Sequence, residues 1–375
     1  MNEKKPCRVL HMMQCTHLAG TERTLYALMR GLHGPRYDFR IVSLHPAGAG
    51  AELMQAAGIP TAGHDYRGRF GWRSHLRMRR TVAQTPCDLV LVSGPTVTGS
   101  LALTAAPARR RVLTVHFHHG DDPRSRRRWR AFYRLCGRQY RTITYLTDFQ
   151  RREAESIAPW IADRTRTVRA PVITVGRADE TTRLTLKQRF GLDVHGPVIG
   201  NASALIDRKR IDVFLETAAR IARRCPDAQF LLAGDGPQRP MLQARAHDLG
   251  IGRRTRFVGW LENAADFFGA TDILLFNSDA DAFGRTPMEA MASGVPVVAS
   301  VRYGGTRELV RHEHNGILLR DHDVDDLAEH VIALIDDDRL RGQRIERGLA
   351  TVRQLHGQDV FLKTYDAIFQ DALNN

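Results

Sequence analysis

Two carboxylates, Asp281 and Glu289, frame the passage Asp279-Ala280-Asp281-Ala282-Phe283-Gly284-Arg285-Thr286-Pro287-Met288-Glu289, in which a loop runs into a helix. Pro287 suits a first helical turn, and the Phe283-Gly284 pair lets the backbone come close to a ligand. Amides at a helix start lack partners inside the helix, and the dipole there favours an anion, so the passage offers a pyrophosphate a seat. Glu289 would accept hydrogen bonds from vicinal ribose hydroxyls. Further upstream, Arg208-Lys209-Arg210 opens another helix after the apolar run that begins at Pro197. A cation fixed there would stabilise negative charge that develops on a bound group. Gly234 and Gly236 form a glycine turn behind the run Phe230-Leu231-Leu232-Ala233. His116 ends another run, in His116-Phe117-His118-His119-Gly120, and Gly20 opens a helix in His17-Leu18-Ala19-Gly20-Thr21-Glu22. Each has a plainer reading as well: Asp281 as a helix cap, Glu289 as an acid favoured by the dipole, Lys209 as one of a basic first turn, His116 as a satisfied strand-end imidazole.

The elements that must hold these residues follow from periodicity. Short aliphatic runs alternate with stretches of helical period from end to end, which indicates βαβ units and parallel sheets. Strands are expected at 7–14, 39–44, 88–93, 111–116 and 142–145, and again at 198–202, 229–233, 256–258, 272–277 and 295–299. Helices lie between them, as at 22–32, 124–140, 211–223 and 286–293. The tail 323–373 has helical period, with Val360, Phe361, Tyr365, Ile368 and Phe369 as its apolar positions. A chain of 375 residues is long for one core. The expected fold class is therefore α/β, with two doubly wound Rossmann-like domains facing across a cleft and ligands at the carboxyl ends of their strands. The expected bounds are 1–172 for the first domain, 173–196 for a connection, 197–355 for the second, and 356–375 for a last helix that crosses back to the first.

The passage from Asp281 through Glu289-Ala290-Met291-Ala292-Ser293-Gly294-Val295-Pro296-Val297-Val298-Ala299 resembles the signature of the retaining glycosyltransferases of family 4, which have the GT-B fold. Lys209, the Gly234-Asp235-Gly236-Pro237 turn, Phe257-Val258-Gly259-Trp260 and Gly304-Gly305-Thr306-Arg307-Glu308 fall on further blocks of that family in order. The resemblance implies that Asp281 touches donor-sugar hydroxyls, Glu289 the nucleotide ribose, Lys209 the diphosphate and Trp260 the surroundings of the base. It further implies a nucleotide-sugar site drawn from Gly20, Arg208, Lys209, Gly234, Gly236, Trp260, Asp281, Phe283, Gly284, Arg285, Thr286 and Glu289. His116 falls where the family places a histidine near the transferred sugar. Two departures stand out: Asp281 replaces the usual Glu, and Ala204 replaces an Arg whose charge Arg208 or Arg210 would supply. The implied function is transfer of a sugar, with retention, from a nucleotide diphosphate sugar to a glycan or lipid-linked acceptor. No cofactor or metal is expected, and Asp279-Ala280-Asp281 is not read as a metal clamp because Asp281 already belongs to the acidic pair.

Charge bears on the acceptor side. Residues 1–170 carry 29 Lys and Arg against 12 Asp and Glu, whereas the remainder carries 26 against 29. The basic half would suit an anionic membrane, a pyrophosphate-linked lipid or RNA. Its Arg- and aromatic-rich segments are 67–80, with Phe70 and Trp72, and 124–141, with Trp129, Phe132, Tyr133 and Tyr140. No nucleic-acid module accompanies them, so specific nucleic-acid binding is not expected. Five scattered cysteines without a CxxC pair speak against a disulfide framework and a zinc site, and no apolar run is long enough to span a bilayer. The expected setting is the cytoplasm, with peripheral contact at the inner face of the cell membrane. The rival reading is a non-catalytic nucleotide-sugar-binding scaffold.

Overall fold

The computed structural model describes residues 5–374 except 18–19, 66–71, 95–99, 101, 109, 117–121, 173–175 and 282. Phe70, His118 and His119 therefore lie outside the described residues. The backbone divides into two compact units, one of Met1–Pro171 with Gln358–Asn375 and one of Val172–Gly357.

The first unit is built on a seven-stranded sheet of β1 (Cys7–Met13), β2 (Tyr37–Ser43), β3 (Thr61–Gly63), β4 (Leu89–Ser93), β5 (Arg111–Val115), β6 (Thr142–Tyr145) and β7 (Thr165–Thr167). The order is β3-β2-β1-β4-β5-β6-β7, with parallel pairing throughout. Such strands are covered on both faces, which is why Leu89-Val90-Leu91-Val92 reads as an unbroken apolar run and is fully buried. The short edge strands β3 and β7 escaped the sequence reading, because three residues carry too little period.

One face of this sheet is covered in part by the last helix, Gln358–Asn374. Phe361, Tyr365 and Phe369 recur every fourth residue, so they share one face and pack as a chain of tilted rings. Polar contacts fix the helix lengthwise: Asp366 accepts from Arg36 at 2.9 Å and from the Tyr37 hydroxyl at 2.6 Å, and Gln370 donates to Tyr37 at 2.7 Å. On the other face lies Pro123–Cys136, started by Pro123 and capped by Asp122, whose carboxylate accepts from the amides of Arg124 and Ser125. Phe132 and Tyr133 are buried, and Trp129 stacks on Tyr133 at 5.6 Å. The aromatics of this helix thus pack on the core, while Pro123, Ala131, Leu135 and its arginines are exposed.

The second unit carries a six-stranded sheet of β8 (Val198–Ala202), β9 (Gln229–Ala233), β10 (Thr255–Gly259), β11 (Ile273–Asp281), β12 (Val297–Gly304) and β13 (Ile317–Leu319), again parallel, in the order β10-β9-β8-β11-β12-β13. Helix Ile211–Arg224 lays eight buried residues against it. The sequence reading is corrected in three places. Residues 173–196, read as a connection, contain the helix Glu180–Arg189 of this unit, capped by Asp179. Arg183 and Lys187 both pair with Asp272, so charge rather than an apolar stripe anchors the helix, and its period was weak for that reason. The tail 323–373 is three helices, Val324–Asp336, Asp338–His356 and Gln358–Asn374, with caps at Asp323 and Asp337. Finally, β11 does not stop near Ser278. Pairing of Ala280 with Tyr303 and of Asp281 with Gly304 carries the strand through Asp281.

Candidate donor site

Strand order decides where a ligand fits in the second unit. From β8 the sheet grows to β9 and β10 on one side and to β11, β12 and β13 on the other, so the order reverses between β8 and β11. In doubly wound sheets the crevice at the carboxyl ends of two such strands is the ligand site. The segment after β8 supplies Lys209, the end of β11 supplies Asp281, and the two side chains meet across this point at 2.5 Å. Both are nearly covered, with 13% and 14% of their side chains exposed. Lys209 closes a short turn, Asp207–Lys209, and its ammonium stands 5.1 Å from the centre of the Phe276 ring. Arg208 donates to the backbone oxygen of Ala280 at 2.9 Å, which ties the same turn to β11.

Asp281 has a second task. Its other carboxylate oxygen accepts from the amides of Phe283, at 3.3 Å, and Gly284, so it caps the turn that leads into helix Arg285–Ala292. Gly284 has φ of 81°, a left-handed conformation that suits glycine, and a Cβ there would lie 2.7 Å from Thr306 Oγ1. Phe283 is buried, its ring edge-on to His356 at 5.7 Å. Thr286 donates to the carbonyl of Ala202 at 2.9 Å and so stitches the helix start to the end of β8. Arg285 reaches Glu289 at 2.9 Å, one turn on. Glu289 is the fifth residue of the helix, so it is not a first-turn acid.

The turn after β9 is shaped by close backbone approach. Gly234 has φ of 123° and leaves no room for a Cβ, which would lie 2.0 Å from the Ser203 oxygen; at Gly236 it would lie 2.4 Å from the Leu205 oxygen. The Gly234 amide donates to Gly259 at 2.7 Å, bringing the end of β10 alongside, where Trp260 stands 76% exposed.

The sequence reading missed a neighbouring network. Asp279 faces Arg210 and Arg302, each at 3.6 Å, and accepts from or pairs with His322 Nε2 at 3.1 Å; His322 Nδ1 contacts Ser300. Burial lowers the His322 pKa, against the pull of Asp279. Asp279 and Asp281 thus each hold their own cations, and among the described residues no three His, Cys, Asp or Glu are placed to hold a metal ion. Asp279 and Arg210 were visible in the sequence; nothing local signalled that they meet, or that Arg302 and His322 join them.

The first unit holds the remaining candidates. Gly20 is the first residue of helix Gly20–Leu32. His116 follows β5, is 7% exposed, and places Nε2 2.9 Å from Thr114 Oγ1. Burial pushes its pKa down to about 4, so the ring is neutral near pH 7. His11 on β1 is likewise pushed down, to about 3, by burial and then by His116, and bonds Ser93 at 2.7 Å.

Comparison with known proteins places both halves. Residues 18–174 match the family model Glycosyltransferase Family 4, and residues 182–350 match Glycosyl transferases group 1. N-acetyl-alpha-D-glucosaminyl L-malate synthase of Bacillus anthracis is 29% identical over 190 residues, 51% of this chain and 49% of that protein. The lipopolysaccharide core biosynthesis glycosyltransferase LpsE of Rhizobium meliloti is 31% identical over 174 residues, 46% of this chain and 50% of that one. The chain thus spans about half the length of these curated relatives. Among solved structures, Anabaena HepE in complex with UDP and glucose superposes with a TM-score of 0.82 over 97% of this chain and 100% of that one, at 21% identity. At that identity the likeness speaks for the GT-B fold.

Proposed function

Since the chain belongs to the GT-B glycosyltransferases of family 4 through its two matched halves, we propose that it moves a sugar from a nucleotide diphosphate sugar to a glycan or lipid-linked acceptor, with retention, in polysaccharide or glycolipid biosynthesis. One observation carries this reading: a cation and a carboxylate meet at 2.5 Å across the reversal of strand order in the second unit. In this reading Lys209 and Arg208 offset the charge of the diphosphate, the turn of Phe283 and Gly284, whose amides donate to Asp281, borders the same anion, and Asp281 holds sugar hydroxyls. Glu289, steadied by Arg285, accepts from the ribose. Gly234 and Gly236 let the turn after β9 pass against the backbone of Ser203 and Leu205 and so border the donor, and Trp260 lies beside the base. Gly20 and His116 serve from the first unit, His116 beside the transferred sugar as a neutral imidazole.

The chemistry asked of these residues is mostly electrostatic. As the bond to the anomeric carbon breaks, negative charge grows on the leaving diphosphate, and a preorganised cation stabilises it. The diphosphate oxygen can then take the acceptor's proton on the same face, which gives retention without a covalent intermediate and requires no metal. The relatives' names support a sugar-transfer reaction: one is called an N-acetyl-alpha-D-glucosaminyl L-malate synthase and the other a lipopolysaccharide core biosynthesis glycosyltransferase. The test is turnover against UDP-, GDP- and ADP-sugars with a lipid extract as acceptor. Release of a nucleoside diphosphate with an acceptor heavier by one sugar is the expected result. A donor that binds but is never consumed would overturn the reading.

We further propose that the first unit meets an anionic membrane peripherally, at its inner face in the cell. No helix among the described residues is long and apolar enough to cross a bilayer. Arg124, Arg127, Arg128 and Arg134 are exposed on Pro123–Cys136, beside an exposed Leu135, and helix Trp72–Gln84 exposes Trp72 and Leu76 among its own arginines. Near such a surface each basic residue contributes about 1 kcal/mol. Changing Arg124, Arg127, Arg128 and Arg134 to Gln should release the protein from phosphatidylserine vesicles while nucleotide binding stays at the wild-type level. Equal vesicle binding by that variant would remove the assignment.

A further inference from the structure

One phenol of the last helix reaches β5 and β6 of the first unit. Tyr365 is buried, and its oxygen lies 3.0 Å from Thr114 Oγ1 on β5 and 3.4 Å from Thr144 Oγ1 on β6. Thr114 Oγ1 is in turn 2.9 Å from His116 Nε2. A phenol, a hydroxyl and an imidazole therefore stand in line from the helix to the end of β5. The remaining ring nitrogen, His116 Nδ1, is buried without a hydrogen-bond partner among the described residues.

A neutral imidazole carries one ring proton, and the hydrogen bond made by one nitrogen decides whether the other bears it. Each hydroxyl here also has one proton to give. Thr144 gives its own to the Leu113 carbonyl at 3.4 Å. Tyr365, whose burial keeps it a phenol, has Thr114 as its nearer acceptor. Once Thr114 accepts from Tyr365, its proton is left for His116 Nε2. The ring proton then belongs on Nδ1.

We propose that Tyr365 and Thr114 are positioning residues, a relay that holds His116 as the Nδ1–H tautomer so that it presents a hydrogen-bond donor to an oxygen of the transferred sugar. The proposal rests on the reading above that His116 lies beside that sugar. It gives the C-terminal helix a part in the reaction although none of its residues is asked to touch the donor.

The test uses the full chain with nitrogen-15 in its histidines. His116 signals, assigned by their loss in His116→Asn, should show a protonated Nδ1 and a bare Nε2. Tyr365→Phe keeps the packed ring and removes one oxygen, which leaves a Thr114 lone pair for an Nε2–H donor. A shift toward the Nε2–H form is expected, with kcat down about tenfold, the upper worth of one neutral hydrogen bond, and the donor KM unchanged. Thr114→Val should do the same and Thr114→Ser should restore both signals and rate. If His116→Asn slows transfer but Tyr365→Phe and Thr114→Val leave the nitrogen shifts and kcat at wild-type values, the relay is wrong and the sugar-side role of His116 stands. Wild-type transfer by His116→Asn would instead overturn that role. Should Tyr365→Phe fail to fold, the contrast between Thr114→Val and Thr114→Ser decides alone, and equal rates for those two overturn the relay.

Discussion

Lys209→Ala should lower kcat by about 10²-fold or more, the usual cost of deleting one preorganised group that meets charge as it develops in the transition state. The donor KM should move far less, because the charge on the diphosphate increases only as the glycosidic bond breaks. The fold should survive. Lys209 sits in a three-residue turn rather than in the apolar core, and its partner Asp281 keeps the amides of Phe283 and Gly284 when the ammonium is gone. Lys209→Arg is the useful companion, since it retains the charge while moving it away from the 2.5 Å contact. Single-turnover rates with saturating donor make the comparison direct. A Lys209→Ala enzyme that turns over at the wild-type rate would remove Lys209 from the chemistry.

The largest expected effect on stability belongs to Gly304. Its φ is 116°, and a Cβ there would stand 1.8 Å from the backbone oxygen of Asp281, which also accepts from Gly305 at 2.9 Å. No side-chain rotation relieves a clash with backbone, so β11 and β12 would have to separate where they bear the acidic residue. Gly304→Ala should therefore destabilise the second unit by about 3 kcal/mol or more, combining backbone strain with lost strand pairing. Donor affinity should fall with it. Gly342 provides the contrast: it lies within helix Asp338–His356 with nothing within 4 Å of an added Cβ, so Gly342→Ala should stabilise the same unit by about 0.5–1 kcal/mol. Urea unfolding of both variants measures the pair, and equal midpoints would show that the approach of Gly304 to Asp281 is not a constraint.

What the sequence disclosed was local. Asp281, Gly284, Pro287 and Glu289 lie within one strand-to-helix passage, so their spacing and residue types could be read together. Lys209 was legible because an apolar run ends just before a basic turn. The meeting of Lys209 with Asp281 was not, for it depends on β8 lying beside β11. The same non-local pairing hid the extension of β11 through Asp281 and the gathering of Arg210, Arg302 and His322 on Asp279. Helix Glu180–Arg189 escaped because it is held by Arg183 and Lys187 on Asp272. Residue type alone did not separate the aromatics of the two Arg-rich segments; packing put Phe132 and Tyr133 in the core and left Trp72 outside.

The chain enters the second unit at Val172 and leaves it at Gly357, and the Val172 amide donates to the His356 carbonyl at 2.9 Å, so entry and exit lie side by side. For the gene this makes the second unit one uninterrupted cassette with adjoining ends, inserted into a first unit encoded in two pieces. Such a cassette can be exchanged between relatives at two neighbouring junctions, so the two units are free to evolve separately. A cut at the end of the cassette has the opposite result, because it strips the first unit of Phe361, Tyr365 and Phe369 and with them a side of its core.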